Sequence, residues 1–144
     1  MSPCQPRILE GRLYCAGQPD AQDLERLAAD GVRWVVNLRP PSELAFDEAD
    51  CVRRLGMHYV NIPVATPADL NRANARALHD ALARAGEDAV LLHCGTSNRV
   101  GALIALAAAW EQGVPAEDAL ALGQAAGLAS LEPAVRARLG LPLD

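Results

Sequence analysis

The chain has 144 residues, 51% of them hydrophobic, and its mean hydropathy of +0.05 is that of a globular protein rather than a disordered one. This length suits one domain, and we expect residues 1–144 to form a single one. The formal net charge of −5 argues against general binding to nucleic acid or to an anionic membrane, because both need a basic surface.

The sequence shows no export or membrane signal. The first ten residues lack the apolar core of a signal peptide, and the longest apolar run, residues 100–110, is too short to span a bilayer. The cysteines lack the paired spacing of a metal site or of a disulfide framework. We therefore expect a cytoplasmic protein with reduced thiols and with no membrane partner, no metal ion and no cofactor. The four cysteines are Cys4, Cys15, Cys51 and Cys94.

The chain opens with a short strand, a helix and a longer strand. Residues 13–16 form a short apolar strand that a turn follows. Asp20 can cap a helix whose leucines share one face, and Gly31 ends that helix. Residues 33–38 are mostly apolar and rich in valine, which predicts a buried strand.

The middle of the chain continues this alternation. After two prolines, residues 42–55 are predicted as one helix, with Phe46 as a possible hydrophobic anchor. Residues 57–62 form a third strand. Apolar residues at helical spacing predict a helix over 70–85. Residues 89–93 are an apolar run and make the most clearly buried strand of the sequence.

Three helices complete the chain. One runs from Val100 to Trp110, a second opens at Pro115, and a third begins near Ser130. Strands that alternate with helices in this way indicate an α/β fold. We expect a mostly parallel central sheet of four to five strands, flanked by helices.

A six-residue loop joins strand 89–93 to the next helix, with Cys94 first and Arg99 last. Such a loop directs several backbone N–H groups at one point, where the helix dipole adds positive potential. A cysteine there is favoured as the nucleophilic thiolate, and an arginine offers two parallel donors to a tetrahedral oxyanion. The sequence thus predicts Cys94 as nucleophile, Arg99 as clamp and the intervening loop as an anion cradle. The cradle residues are Gly95, Thr96, Ser97 and Asn98.

At these residues the chain resembles a known family. From Leu13 to about Leu128 it is similar to small bacterial phosphatase-like domains, related to dual-specificity and tyrosine cysteine phosphatases, which also occur fused in β-lactamase-hydrolase-like hybrid proteins. The resemblance implies a cysteine-phosphatase-like fold, a phosphocysteine intermediate and a phosphate-bearing substrate. It also implies that His93 orients the loop and favours the Cys94 thiolate. The stretches that carry the resemblance are Gly17-Gln18-Pro19, residues 35–40, Ile62-Pro63-Val64 and residues 93–103.

The loop departs from the phosphatase pattern at three points. Four residues separate Cys94 from Arg99, whereas phosphatases have five, and four is the spacing of rhodanese-type sulfurtransferases. Val100 stands where phosphatases usually carry a hydroxyl that assists departure of the thiolate. Ser97 replaces the usual loop glycine, although its hydroxyl, or that of Thr96, offers a substitute for the missing one.

The general acid is also absent from its usual place after Ile62-Pro63-Val64. Asp69 is the nearest carboxyl group and is the candidate acid, although an acidic residue at this position is more typical of a helix start than of catalysis. Glu43 and Asp47 belong to another loop, and the sequence does not place them near Cys94.

Three functions remain open on this evidence. A phosphatase needs thiolate, clamp and acid, whereas a sulfurtransferase that carries a persulfide on Cys94 needs only thiolate and cradle. The third is a phosphate- or sulfate-binding module without catalysis, which an unreactive Cys94 would indicate. The overall pattern favours the phosphatase, and we take it as the leading prediction, with a phosphate- or sulfur-bearing anion as the substrate.

Arg39, Gln18 and the remaining cysteines are the other residues considered for the site. Arg39 follows a strand of the predicted parallel sheet, so it either helps to hold the substrate anion or bonds to nearby backbone carbonyls. Gln18 is predicted to be a turn residue. The other three cysteines are predicted to be bystanders, unless one of them lies near Cys94 and acts as a resolving thiol.

Overall fold

The computed structural model describes residue 4 and residues 6–143. It contains the strands β1 (Arg7–Leu9), β2 (Leu13–Ala16), β3 (Val32–Asn37), β4 (His58–Asn61) and β5 (Ala89–His93). These five strands form one sheet in the order β1-β2-β5-β3-β4. The β1–β2 pair is antiparallel and the other three pairs are parallel. The predicted α/β fold with a mostly parallel sheet is therefore confirmed.

Helices cover both faces of this sheet, because β5 alternates its apolar side chains between two cores. Leu91 packs with the helices that precede β4 in the chain, whereas Val90 and Leu92 pack with the helices that follow β4. No helix in the described part of the chain is long and apolar enough to cross a membrane. The helices are α1 (Ala21–Ala29), α2 (Glu48–Arg54), α3 (Arg72–Ala85), α4 (Asn98–Gln112), α5 (Ala116–Ala126) and α6 (Glu132–Leu139).

Helix α4 occupies the centre of the larger core. Its residues 100–108 are all buried, and it packs against α3, α5 and α6. Gly101 lets α4 approach the end of α5 closely, because a Cβ at this position would lie 2.3 Å from Leu128 N and 2.5 Å from Gly123 O. The helix that begins at the cysteine loop is thus fixed by backbone-to-backbone packing.

The predicted helix over residues 42–55 is wrong in its first half. Pro40 and Pro41 lead into a single 3-10 turn, Pro41–Glu43, after which Leu44 returns to extended backbone with ψ 134°. Helix α2 begins only after Asp47, whose side chain accepts a hydrogen bond from the Asp50 N–H and caps the helix. The other predicted helices and strands are present, with shifts of a few residues at their ends. The sequence analysis did not predict β1, a three-residue edge strand.

Candidate active site

The cysteine loop lies at the carboxyl end of β5, between the ends of β2 and β3. Both neighbouring strands hold it through backbone hydrogen bonds. Cys94 N donates to Ala16 O at 3.3 Å, and Leu38 N donates to His93 O at 2.9 Å. Ligands of parallel sheets collect at this end of the strands, so the loop has the position expected for a site.

Ser97 gives the loop its turn into α4. It has a left-handed backbone with φ 72°, a conformation that favours glycine, and its hydroxyl donates to Ala126 O at 2.6 Å. Gly127 leaves the space for this contact, because a Cβ there would lie 2.7 Å from the Ser97 hydroxyl oxygen. The hydroxyl does not cap α4. The Ser97 side chain therefore leaves the first N–H groups of α4 uncapped. These N–H groups are the expected anion cradle.

The other cradle residues take different roles. The Asn98 side chain turns away from the loop, since it accepts from Ala129 N at 2.8 Å and donates to the Ser130 hydroxyl at 2.8 Å. Thr96 is exposed and pairs with Gly17 in an isolated β-bridge. Cys94 itself is completely buried. The Asn98 amide is therefore engaged away from the loop, and the expected cradle consists of backbone N–H groups.

Arg99 is held from two sides. Its Nη1 donates to Val64 O at 2.8 Å and to Glu43 Oε2 at 3.2 Å, and its Nη2 donates to Glu43 Oε1 at 2.9 Å. Among the side chains and carbonyls that the structure describes, none accepts a hydrogen bond from Nε. Nη2 lies above the loop, 3.4 Å from the position of a Cβ on Gly95. The guanidinium therefore lies beside the first glycine of the loop, with Nε not used by any described protein acceptor.

Glu43 is the residue that the sequence analysis could not place. Hydrogen bonds from Arg99 and Arg39 hold the pKa of Glu43 below its usual value, against the opposing effect of desolvation. Glu43 is therefore a carboxylate at neutral pH. It can orient Arg99, but it carries no proton for a leaving group.

Asp69, the predicted general acid, closes its own turn. Its carboxylate accepts from Ala65 N at 2.8 Å and from Thr66 N at 3.3 Å, within the segment that leads into the 3-10 turn Pro67–Asp69. The structure thus gives Asp69 the local role that the sequence analysis offered as its alternative, and shows it no hydrogen bond to the cysteine loop. Its catalytic role stays a prediction.

His93 forms a buried pair with Glu48, and neither side chain is accessible to solvent. Its Nε2 lies 2.5 Å from Glu48 Oε2, and its Nδ1 lies 3.4 Å from Cys94 O. The orienting role predicted for His93 therefore has a partner that the sequence analysis missed. Nothing in the residues around Glu48 identifies it, since the two side chains are 45 positions apart. In the described part of the chain, no three His, Cys, Asp or Glu side chains are grouped to hold a metal ion.

Arg39 supports Glu43 rather than facing open solvent. It donates from Nε to Glu43 Oε1 at 3.1 Å and from Nη2 to Glu43 O at 2.9 Å. Its Nη1 donates to Gln18 Oε1 at 2.8 Å. Gln18 follows β2 and Arg39 follows β3, and these two strands lie beside β5. The strand order is therefore the information from which their proximity could have been predicted.

The buried cysteines other than Cys94 are poor nucleophiles. Burial raises the pKa of Cys4 and that of Cys15 to about 12 each. At pH 8 only about one such thiol in 10⁴ is a thiolate, which is the reactive form. We expect iodoacetamide at pH 8 to leave both unmodified in the folded protein, as mass spectrometry of tryptic peptides would show. Modification of Cys15 at the rate seen in the denatured protein would contradict this expectation.

Comparison with known proteins assigns the family. A model of the phosphatase-like domain of beta-lactamase hydrolase-like proteins matches residues 6–111. The beta-lactamase hydrolase-like protein of Xylella fastidiosa (strain Temecula1) is 32% identical over 121 residues, which are 81% of this chain and 28% of that protein. That of Agrobacterium fabrum (strain C58) is 31% identical over 121 residues, with the same coverage. The chain thus spans 28% of the length of these relatives.

Solved structures agree on the fold. Tk-PTP in its active form has a TM-score of 0.72 at 20% identity, with 96% of this chain and 97% of that chain covered. Kinase associated phosphatase has a TM-score of 0.70 at 16% identity, with 91% and 89% covered. The predicted cysteine-phosphatase-like fold is confirmed. By the family match over most of its length, the chain belongs to the phosphatase-like domains of beta-lactamase hydrolase-like proteins.

Proposed function

We propose that this protein is a cysteine-dependent phosphatase that hydrolyses phosphomonoesters, with Cys94 as nucleophile and Arg99 as clamp on the phosphoryl group. One observation carries the proposal. The guanidinium of Arg99, fixed by Glu43 and by Val64 O, places its Nη2 beside Gly95 in the loop that begins with Cys94. The family match supports phosphate as the anion. We extend the proposal to a single domain over residues 1–144 with a cytoplasmic location.

The chemistry proceeds in two displacements. The Cys94 thiolate attacks phosphorus, the P–O bond to the ester oxygen breaks, and the leaving oxygen departs with the electron pair and takes up a proton. Water then attacks the phosphocysteine and the S–P bond breaks. Inorganic phosphate is released with the protons of the water molecule, and the Cys94 thiolate is restored. Arg99 and the loop amides stabilise the negative charge on the phosphoryl oxygens in both transition states. Because Cys94 is fully buried in this structure, substrate entry requires a shift of the surrounding side chains.

The supply of a proton to the leaving oxygen determines which phosphate esters react fastest. Glu43 is ionised, and the hydrogen bonds of the Asp69 carboxyl group go to its own turn, at Ala65 N and Thr66 N, and not to the cysteine loop. A leaving group that is a weak base needs little protonation. The proposed enzyme therefore favours aryl phosphates, including phosphotyrosine side chains, over alkyl phosphates.

Sulfur transfer is the second candidate, favoured by the spacing of four residues between Cys94 and Arg99 and by the ionised state of Glu43 beside Arg99. Here the Cys94 thiolate attacks the sulfane sulfur of thiosulfate, the S–S bond breaks, and sulfite leaves with the electron pair. A nucleophile such as cyanide then takes the outer sulfur of the persulfide, which gives thiocyanate and restores the thiolate. No proton has to reach the leaving group.

Two assays on one preparation separate these functions. One follows phosphate release from an aryl phosphate, and the other follows thiocyanate formed from thiosulfate and cyanide. Phosphate release that depends on Cys94 supports the phosphatase. Thiocyanate without phosphate release overturns it in favour of sulfur transfer, and no product in either assay, with phosphate still bound, indicates the non-catalytic module.

The clamp requires a guanidinium and not only a positive charge. Substitution of Arg99 by lysine is expected to lower kcat/KM for the aryl phosphate by about 10²-fold or more, because an ammonium group cannot bond Glu43, Val64 O and a phosphoryl oxygen in one plane. Steady-state kinetics measure the change. Arg136→Lys, at an arginine paired with Glu132 on α6, is the control and should leave kcat/KM within twofold. Equal activity of Arg99→Lys and wild type would exclude a bidentate clamp.

A further inference from the structure

A continuous row of hydrogen-bonded side chains joins the residue before Cys94 to the arginine that ends the loop. It passes through the β2–α1 turn, the segment after β3 and the first turn of α2. We call this row the site brace. Its members, in order, are His93, Glu48, Gln18, Arg39, Glu43 and Arg99.

The first half of the brace is centred on the buried carboxylate of Glu48. One oxygen lies 2.5 Å from His93 Nε2, and the other accepts from Gln18 Nε2 at 2.8 Å. A carboxylate can accept from both donors, whereas an amide in its place can accept from only one of them. The two oxygens of Glu48 therefore meet two partners at once.

Gln18 connects this half to the second. Its Nε2 uses both hydrogens, one on Glu48 and one on Pro19 O at 2.8 Å, so its Oε1 faces Arg39 Nη1 at 2.8 Å. Its backbone N–H also donates to Gly95 O at 3.2 Å, inside the cysteine loop. One residue thus contacts the loop itself and both halves of the brace.

In the second half of the site brace, Glu43 connects Arg39 to Arg99. Arg39 fixes Glu43 by one side-chain and one backbone hydrogen bond, and Glu43 in turn holds the end of the Arg99 guanidinium. Hydrogen bonds in such a row have few alternative geometries, because most donors already have an acceptor. A change at Gln18 therefore reaches Arg99 without a direct contact.

We propose that Gln18 is a positioning residue of this site, which couples His93 and Arg99 at the two ends of the cysteine loop through Glu48 and Arg39. The proposal deepens the proposed phosphatase function, on which its consequence for catalysis rests. It differs from the role of a turn residue, because a turn depends on the backbone of Gln18 and the coupling depends on its side-chain amide.

The test replaces the amide and keeps the length of the side chain, as in Gln18→Met. Inorganic phosphate is titrated against alkylation of Cys94 by iodoacetamide, and the NMR signals of the Arg99 guanidinium are recorded in the same samples. We expect the variant to melt within a few degrees of wild type and to need about tenfold more phosphate for half-protection, the loss expected for one hydrogen bond to a charged partner. The Arg99 Nη signals should shift or broaden.

The matched control is Gln124→Met. Gln124 also donates to a glutamate, Glu132 Oε1 at 3.0 Å, but lies exposed on α5. It should leave both readouts unchanged. If Gln18→Met does not fold, Gln18→Ala removes the same side-chain amide and should give the same shift of the Arg99 signals.

The outcomes distinguish this inference from the proposed function. Arg99 signals and phosphate protection that stay as in wild type in a folded Gln18→Met variant would overturn the coupling, whatever the activity of the protein. Altered Arg99 signals in a chain that releases no phosphate from an aryl ester would support the coupling and overturn the phosphatase proposal.

Discussion

The Cys94→Ser variant is expected to lose turnover of aryl phosphate by about 10⁴-fold or more, down to the rate of a blank. A serine hydroxyl at this position is not ionised at neutral pH, and it forms no thiophosphate intermediate. The proposed anion cradle consists of backbone groups and Arg99, whose contacts with Val64 O and Glu43 the substitution leaves in place. The variant should therefore still bind inorganic phosphate while it no longer hydrolyses the ester.

The measurement is steady-state phosphate release, with thermal unfolding recorded for the same preparations. Cys51→Ser, at a partly exposed thiol on α2, serves as control and should retain wild-type turnover. Turnover by a folded Cys94→Ser variant above a tenth of the wild-type rate would remove Cys94 from the mechanism. The same variant in the thiosulfate assay tests whether sulfur transfer uses the same residue.

The second large effect concerns stability. Gly101→Ala is expected to lower the free energy of unfolding by about 3 kcal/mol, because the added Cβ would lie 2.3 Å from Leu128 N and 2.5 Å from Gly123 O. Both are backbone atoms, which cannot swing aside as a long side chain can. The helices α4 and α5 have to separate by a fraction of an ångström or more, and core contacts on both sides are lost.

For a chain of this size the expected loss corresponds to a fall of about 10 °C in Tm, which calorimetry or circular dichroism would detect. Gly113→Ala at the other end of α4 is the control. Gly113 has φ +70° and no atom within 4 Å of an added Cβ, so only backbone strain of about 1 kcal/mol is expected. Equal Tm values for the two variants would show that the contact between the helices relaxes freely.

The fold was predictable because its apolar pattern is local and strong. Residues 89–93 are apolar enough to identify the central strand, and the Asp20 cap located α1 correctly. The error at residues 42–55 has an equally local origin. Two possible helix starts, Ser42 and Asp47, lie five residues apart, and only the structure shows that the chain uses the second one.

The site was predictable only where its residues are close in sequence. Cys94 and Arg99 lie on one loop, so their spacing is visible directly. Glu43 and Glu48 reach the same place from another segment, through contacts with Arg99 and His93 that no local pattern encodes. A carboxyl group such as Asp69 was chosen by its place after a motif, and its hydrogen bonds to its own turn depend on backbone geometry.

The burial of α4 has a consequence for how the site responds to heat. A helix surrounded by other elements on every side cannot open by itself, so its amide hydrogens exchange with solvent only when the surrounding core opens as well. Arg99 stands in the first turn of this helix. The cysteine loop is thus anchored to a helix that we expect to exchange among the slowest, and we expect thermal inactivation to coincide with unfolding of the core instead of preceding it.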